Sequence, residues 1–367
     1  MTVDTAKPIP VTNVCHAGLD PVSTVSAAPS NPVPACHQQP IIAIVGATAT
    51  GKSRLADLLA VKLDAEIISA DSMQVYRGMD IGTAKTPVAE RSVSYHGLDL
   101  VDPDFRYTAA LYQRMARAQI AEIQQRGRRV IFCGGTGLYL RAALDDFEFD
   151  QGFDSSCQAE CQAGPDHTSA LEPRVQLQQQ ADALGPEAFH TLLSEHDPES
   201  AALIHPNNVR RVIRAFELLG QGSSYAKQSG GFSSFQSFYP VILVGLHLER
   251  DMLYQMIEQR VDAMLEAGLL GEVEALVEQG FAQSLTAMQA IGYKELLLHL
   301  EGQISLTEAA EQIKQATRRY AKRQISWFKR DPRIKWLDIT DLHKQGQAGK
   351  LTSEEFGEQL TAPFFLR

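Results

Sequence analysis

Ile41, Ile42, Ile44 and Val45 form a nearly continuous β-branched apolar run that stops at Gly46. A run without polar alternation predicts a strand covered on both faces, as in a parallel sheet. Beyond the loop that follows, Leu55, Leu58 and Leu59 recur at helical spacing, so the strand is expected to feed an amphipathic helix. The alternation continues downstream. Ala65 to Ser69 reads as a second strand, His96 to Val101 as a candidate third, Arg129 to Cys133 as the next and Val241 to Leu246 as the last. Thr108 to Arg126 reads as a helix with Leu111, Met115 and Ala118 on one face and Gly127 as its stop. Strands alternating with helices predict an α/β fold with a parallel sheet. Ligands of such sheets gather at the strand C-termini, where Gly46, Asp71 and Thr136 fall.

The pattern breaks between Asp145 and Tyr239. Helical stretches there flank a polar segment, Ser155 to Ser169, and precede a Ser/Gly-rich one, Gly220 to Ser237. This predicts an inserted, mostly helical domain at 145–239, dividing a core of 41–144 and 240–336. From Arg250 to about Arg330 the pattern is helical, the chain after Asp331 is uninformative, and 337–367 reads as a C-terminal tail. Residues 1–40, rich in Pro, Ser, Ala and Val, read as a disordered extension without signal or transit features.

Composition narrows the options. The net charge of −10 argues against a generally basic nucleic-acid binder, so any polyanion site must be a local patch. Five scattered cysteines suggest a reducing compartment. Cys157 and Cys161 with His167 offer three ligands at loose spacing, too few for a convincing metal site. No apolar run approaches membrane-spanning length.

Gly46 to Ser53, GATATGKS, has the spacing G-x-x-x-x-G-K-[ST] of a phosphate-cradling P-loop. Gly46 and Gly51 let the backbone turn and approach an anion. Its amides then point inward at a helix N-terminus, where negative charge is favoured. Lys52 supplies a point charge and Ser53 a hydroxyl for Mg²⁺.

Three further groupings carry chemistry. Asp71, in ISADSMQ, places a carboxylate at a strand end facing the P-loop, fit for accepting a proton, holding a metal or capping a helix. In HPNNVRRVIR, Asn207 or Asn208 can cap a helix whose apolar face carries Val209, Val212, Ile213 and Phe216. Arg210, Arg211 and Arg214 share the opposite face. In Thr307 to Arg330, one stripe carries Ile313, Ala316, Thr317, Tyr320, Ala321, Gln324 and Phe328. The other side carries Lys314, Arg318, Arg319, Lys322, Arg323, Lys329 and Arg330. In so acidic a chain that side reads as a nucleic-acid backbone surface, with membrane binding and snorkelling side chains as alternatives. On a helix from Leu253 to Leu265, Arg260 falls within the apolar stripe of Leu253, Ile257, Val261 and Met264. An arginine there must snorkel out or meet an anion.

Together, GATATGKS from Gly46, ADSMQVYRGMDIGTAK from Ala70, GGTGLYLRA from Gly134, HPNNVRRVIRAFE from His205, MIEQRVDAMLEAGLLGEVEAL from Met256, AMQAIGYKEL from Ala287 and KQATRRYAKRQISWF from Lys314 closely resemble the tRNA dimethylallyltransferases, also called tRNA isopentenyltransferases. The resemblance runs from about Ile41 to Trp336. Ala47 departs from the Pro usual in that family, and Thr50 from the common Ser. The resemblance implies a P-loop nucleoside-triphosphate-hydrolase-like α/β core carrying an inserted helical domain. It implies transfer of a dimethylallyl group from its diphosphate to N6 of the adenosine beside a tRNA anticodon, with Mg²⁺. Asp71 then matches the general base. Thr48, Arg260 and the P-loop residues Gly46, Ala47, Thr48, Ala49, Thr50, Gly51, Lys52 and Ser53 match the diphosphate site, with Ser53 facing the metal. Asp71, Ser72, Met73, Gln74 and Thr136 match tRNA contacts, as do Arg210, Arg211, Val212, Ile213 and Arg214. So do Gln289, Ala290, Ile291, Gly292, Tyr293 and Lys294. The expected partners are a tRNA anticodon stem-loop and dimethylallyl diphosphate, for a cytoplasmic monomer that does not engage a membrane. The competing readings are an adenylate isopentenyltransferase, a P-loop small-molecule kinase and a non-catalytic, nucleotide-switched RNA-binding protein.

Overall fold

Strand β1 (Ile41–Gly46) is buried at all six positions. Its neighbours show why the apolar run has no polar gaps. Ile41, Ala43 and Val45 point into one hydrophobic cluster, while Ile42 and Ile44 point into another on the opposite sheet face. The computed structural model describes residues 39–147, 149, 168–231, 234–284, 286–347, 350 and 353–364. The extension before Gln39 and the Cys157, Cys161 and His167 grouping lie outside them.

β1 runs parallel to β4 (Arg129–Cys133) on one side and to β5 (Val241–His247) on the other. β2 (Ala65–Ser69) pairs with β4, and β3 (Tyr95–His96) closes that edge. β6 (Lys335–Asp338) closes the opposite edge against β5, giving the order β3-β2-β4-β1-β5-β6 with every pairing parallel. Two edges therefore differ from the sequence-based expectation. The third strand is two residues long and begins at Tyr95, because the chain after His96 turns through Gly97 and Asp99, both at positive φ. The sixth strand comes from the segment read as uninformative. KWLD is too short and too polar at its ends for a strand pattern to register.

Helices cover both faces. α1 (Lys52–Leu63) follows β1 directly. α2 (Ala109–Gln125) starts where Thr108 Oγ1 accepts the Leu111 N–H at 3.2 Å. α3 (Gly137–Leu144) follows β4. The described part of the insertion holds α4 (Thr168–Leu184), α5 (Pro186–His196), α6 (Pro198–Leu203), α7 (Val209–Gly220) and α8 (Tyr225–Gly231). Ala181, Phe189, Leu193, Val212 and Ile213 give these helices a hydrophobic cluster separate from the two beneath the sheet. The insertion leaves and re-enters the core side by side: Phe238 N–H donates to Leu144 O at 2.8 Å, and Asp146 N–H to Gln236 O at 2.9 Å. Asp145, buried at this joint, accepts from Arg141 and from Arg333 at 2.7 Å. Against the opposing desolvation, hydrogen bonds to Asp331 and to Asp145 hold the Arg333 pKa above its ordinary value.

The chain then forms α9 (Arg250–Glu266), α10 (Leu269–Glu278), α11 (Tyr293–Leu300) and α12 (Leu306–Phe328). Ser305 and Glu308 form a reciprocal capping box that starts α12. After β6, α13 (Thr340–Gln347) and α14 (Ser353–Thr361) follow, the latter packed on α1 with Lys62 Nζ donating to Thr361 Oγ1 at 3.1 Å.

Candidate active site

A cavity of about 330 Å³ opens at the C-terminal ends of β1, β2 and β4. Ligands of open parallel sheets collect there because loops diverge and helix N-termini point inward. At Gly46 the backbone stands at φ 135, and a Cβ there would lie 2.8 Å from the Leu246 carbonyl oxygen, so only glycine lets the loop leave β1 beside β5. Thr50 Oγ1 donates to Ala47 O at 2.8 Å, and Lys52 Nζ folds back to the same carbonyl. Ala49 adopts φ 64, a strained conformation for an L-residue that costs of order 1 kcal/mol.

Thr48, Lys52, Ser53, Asp71 and Arg260 line this one cavity. Arg260 reaches it from α9, where Leu253, Ile257 and Val261 are buried along the same stripe. Desolvation lowers the Arg260 pKa, and only the Asp71 carboxylate pulls it back up. Desolvation likewise brings Lys52 down to about 8; Arg260 adds to that fall, while Cys133 and Asp71 oppose it. Two desolvated cations face one carboxylate, which leaves the chamber receptive to an anion.

An arriving anion returns the Lys52 pKa upward, so above pH 8 binding must take up a proton. Affinity for inorganic diphosphate is therefore expected to be flat below about pH 8 on this account. Above that it should weaken progressively, by up to about tenfold per pH unit. Lys52→Arg, which stays charged, should lose that additional high-pH decline. Calorimetric titrations at several pH values in two buffers of different ionisation enthalpy check both the slope and the proton uptake.

Asp71 Oδ1 accepts the Met73 N–H at 2.9 Å, which orients the carboxyl group on the cavity wall. Ser72 N–H donates to Thr136 Oγ1 at 3.0 Å, joining the loops after β2 and β4. Gln74 is held internally: Ser69 Oγ donates to its Oε1 at 2.7 Å and its Nε2 donates to Thr83 O at 3.0 Å. Cys133 Sγ lies 4.0 Å from Ser53 Oγ, and burial pushes its thiol up to about 11, so it remains protonated and unreactive at neutral pH.

Met73, Gln289, Ala290, Ile291, Gly292 and Tyr293 also line the cavity, whereas Lys294 is exposed outside it. Arg210, Arg211 and Arg214 on α7 are not among the lining residues; the first two are exposed and Arg214 pairs with Glu217 at 3.3 Å. Val212 and Ile213, expected as RNA contacts, are 0% and 1% exposed inside the insertion's own core. Their place is the packed side of α7, opposite the arginines and away from solvent. On α12, Arg319, Lys322 and Arg323 are exposed, but Arg318 pairs with Glu258 at 2.6 Å and Lys314 with Asp262 at 2.8 Å.

Three residues of the site were given no site role from the sequence, Tyr320 and Gln324 having been placed only on the α12 stripe. Glu272 accepts N–H bonds from Asp80, Ile81 and Gly82 at 2.8, 2.7 and 3.1 Å, and the Tyr293 hydroxyl, pinning a loop whose Gly82–Ala84 end lines the cavity. Tyr320 faces Thr136 and Gln324, its hydroxyl pushed up by burial. Gln324 touches the P-loop itself. Glu272 and Tyr320 gave no distinct signal, but Gln324 did: a polar residue within an apolar stripe, like Arg260.

A family model described as IPP transferase matches residues 74–331, and one described as isopentenyl transferase matches residues 39–98. The tRNA dimethylallyltransferase of Carboxydothermus hydrogenoformans is 46% identical over 303 residues, covering 81% of this chain and 91% of that protein. The Bacillus subtilis enzyme of the same name is 42% identical over 306 residues, covering 83% and 92%. Among solved structures, the full-length tRNA isopentenylpyrophosphate transferase of Bacillus halodurans superposes with a TM-score of 0.59 at 38% identity, over 89% of this chain and all of that one (100%). A eukaryotic dimethylallyltransferase captured acting on tRNA superposes with a TM-score of 0.68 at 28% identity, over 87% and 79%. The match spans the P-loop, the loops around Asp71 and Thr136, and the helices that bring Arg260 and Arg323 to the cavity, and the chain belongs to the IPP transferase family.

Proposed function

We propose that this protein is a tRNA dimethylallyltransferase, moving a dimethylallyl group from its diphosphate to N6 of the adenosine beside the anticodon. One observation carries the reading: a single cavity joins the anion-receptive P-loop, Lys52 and Arg260 to the Asp71 carboxylate and to an apolar wall that includes Val261, Met264, Leu269 and Ile313. The exocyclic amine of adenine is a weak nucleophile because its lone pair is delocalised into the ring. Breaking the allylic C–O bond offsets that weakness, since the developing cation is resonance-stabilised. N6 bonds to the allylic carbon, the C–O electron pair leaves on the diphosphate, and the N6 proton passes to Asp71. Thr48, the loop amides, Lys52 and Arg260 take up the charge that grows on the departing diphosphate. The apolar wall takes the prenyl tail, and the adenine leaves its stack to enter the chamber.

Mg²⁺ fits the donor set. Among the described residues no cluster of three or more His, Cys, Asp or Glu could hold a metal alone, but Mg²⁺ commonly binds through one or two protein groups plus substrate phosphates. Ser53 supplies the hydroxyl, and the ion would neutralise diphosphate charge. No helix among the described residues is long and apolar enough to cross a membrane, and a tRNA acceptor favours a cytoplasmic reaction.

Isotopically labelled dimethylallyl diphosphate offered with tRNA, AMP or no acceptor, and with ATP as rival donor, tests the reading. Label in tRNA alone is expected. Label in AMP would make the protein an adenylate isopentenyltransferase, and phosphate transfer from ATP would make it a kinase.

The exposed face of α12 supports contact with the tRNA backbone. Neutralising Arg319, Lys322 and Arg323 together is expected to weaken tRNA binding and to lower the log–log salt slope by about 0.7 to 0.9 per lost phosphate contact. Neutralising Arg318, whose charge Glu258 already matches, should move the slope much less. Affinity for dimethylallyl diphosphate should hardly change on neutralising Arg318, Arg319 or Lys322, which do not line the cavity, whereas Arg323 does line it. Filter-binding titrations across salt concentrations decide; an unchanged slope in the folded triple variant removes this face from the RNA interface.

A further inference from the structure

The Gly134–Gly137 loop and α12 fit together too closely for side chains. A Cβ at Gly134 would lie 2.2 Å from the Ala70 carbonyl oxygen, one at Gly135 2.0 Å from Gln324 Nε2, and one at Gly137 2.0 Å from Trp327 Nε1. Each of these glycines admits a neighbour. Two of the neighbours, Gln324 and Trp327, stand one turn apart on α12. Gln324 is only 5% exposed, and both ends of its amide are engaged. Thr48 N–H donates to its Oε1 at 2.8 Å, and its Nε2 donates to Gly135 O at 3.0 Å. A buried primary amide with one acceptor and one donor so matched sets the separation of two loops. A replacement that cannot do both leaves a buried N–H or C=O unpaired.

We propose that Gln324 is a positioning residue for prenyl transfer. It commits the Thr48 peptide N–H to itself and so fixes the orientation in which the Thr48 hydroxyl meets the diphosphate. The inference rests on the reading of the P-loop as the diphosphate site. α12 also presents Thr317, Tyr320 and Arg323 to the cavity. One helix therefore carries both an RNA-facing surface and the clamp on the donor loop.

A double-mutant cycle on the full-length enzyme tests this. Gln324→Leu is expected to lower kcat on the order of 10- to 100-fold, the penalty of misplacing one contact group, with tRNA affinity unchanged. In a Thr48→Ala background the same substitution should cost less than about 3-fold, because the residue it acts through is gone. Gln324→Glu supplies a second signature. Ionised, it sets an oxygen against Gly135 O; protonated, it donates there and still accepts from Thr48. Its rate relative to wild type at the same pH should therefore rise as pH falls. A role in packing alone predicts losses that multiply in the cycle and a flat Glu-to-wild-type ratio, and that pair of results overturns the proposal. If the Leu variant does not fold, the ratio decides by itself. Amide exchange at Thr48, which Gln324→Leu should accelerate whether or not the enzyme turns over, separates failure of the clamp from failure of the prenyl-transfer reading. Wild-type protein that transfers no prenyl group would sink the latter, while unchanged exchange at Thr48 would sink the former.

Discussion

Asp71→Asn is expected to bind both substrates and to transfer the prenyl group about 10²- to 10⁴-fold more slowly, the usual worth of a positioned general base. Asparagine keeps the shape and the oxygen that accepts the Met73 N–H. The loop should therefore stay in place, and with it the Ser72–Thr136 link. What asparagine cannot do at neutral pH is accept a proton from N6. A single-turnover measurement with saturating donor and tRNA isolates that step. A near-normal rate would leave Asp71 with only its turn-forming role.

The second large effect concerns Arg260. Its guanidinium stands on the buried stripe of α9 and suffers desolvation that only Asp71 offsets. On the proposed reading, a bidentate contact to two phosphate oxygens would offset that desolvation, and a lysine cannot reproduce the fork. Charge on those oxygens grows as the allylic bond breaks, so the contact strengthens toward the transition state. Arg260→Lys is expected to lose roughly 10- to 100-fold in kcat, corresponding to about 1.5–3 kcal/mol, with tRNA affinity unchanged. Arg260→Leu should be inactive, yet its thermal stability should hold or rise, because a desolvated charge has been removed. Full transfer by the lysine variant would remove Arg260 from the diphosphate site, as would a leucine variant that unfolds while its folded fraction still binds donor normally.

Arg260 also shows how far local pattern reaches. Periodicity alone put a cation inside an apolar stripe, and the structure brings it to a cavity wall. β1 and its loop were equally readable, because a β-branched run and glycine spacing are properties of contiguous residues. Val212 and Ile213 mark the opposite case. Their own helical spacing assigned them to the apolar face, but the resemblance treated Arg210 to Arg214 as one contact run; burial separates the two groups. β6 was unreadable for another reason. A four-residue edge strand owes its conformation to pairing with Val244–His247 and carries little pattern of its own. The Gln324 clamp joins residues separated by 276 positions, so its target could not be named from sequence, and Gln324 itself passed as one more member of the α12 stripe.

That separation bears on how the protein comes into being. β1 gains β5 only after the insertion has been made, and Thr48 meets Gln324 only after nearly the whole of α12 has been made. Contacts so distant along the chain close late and slowly, since the loop-closure entropy falls due before they form. A ribosome that has released the P-loop has thus not yet released a donor site. A nascent chain stopped short of Leu306 would carry the GATATGKS sequence without the residue that orients Thr48. Competence for chemistry in this fold is acquired only once α12 has been made and has folded back onto the P-loop.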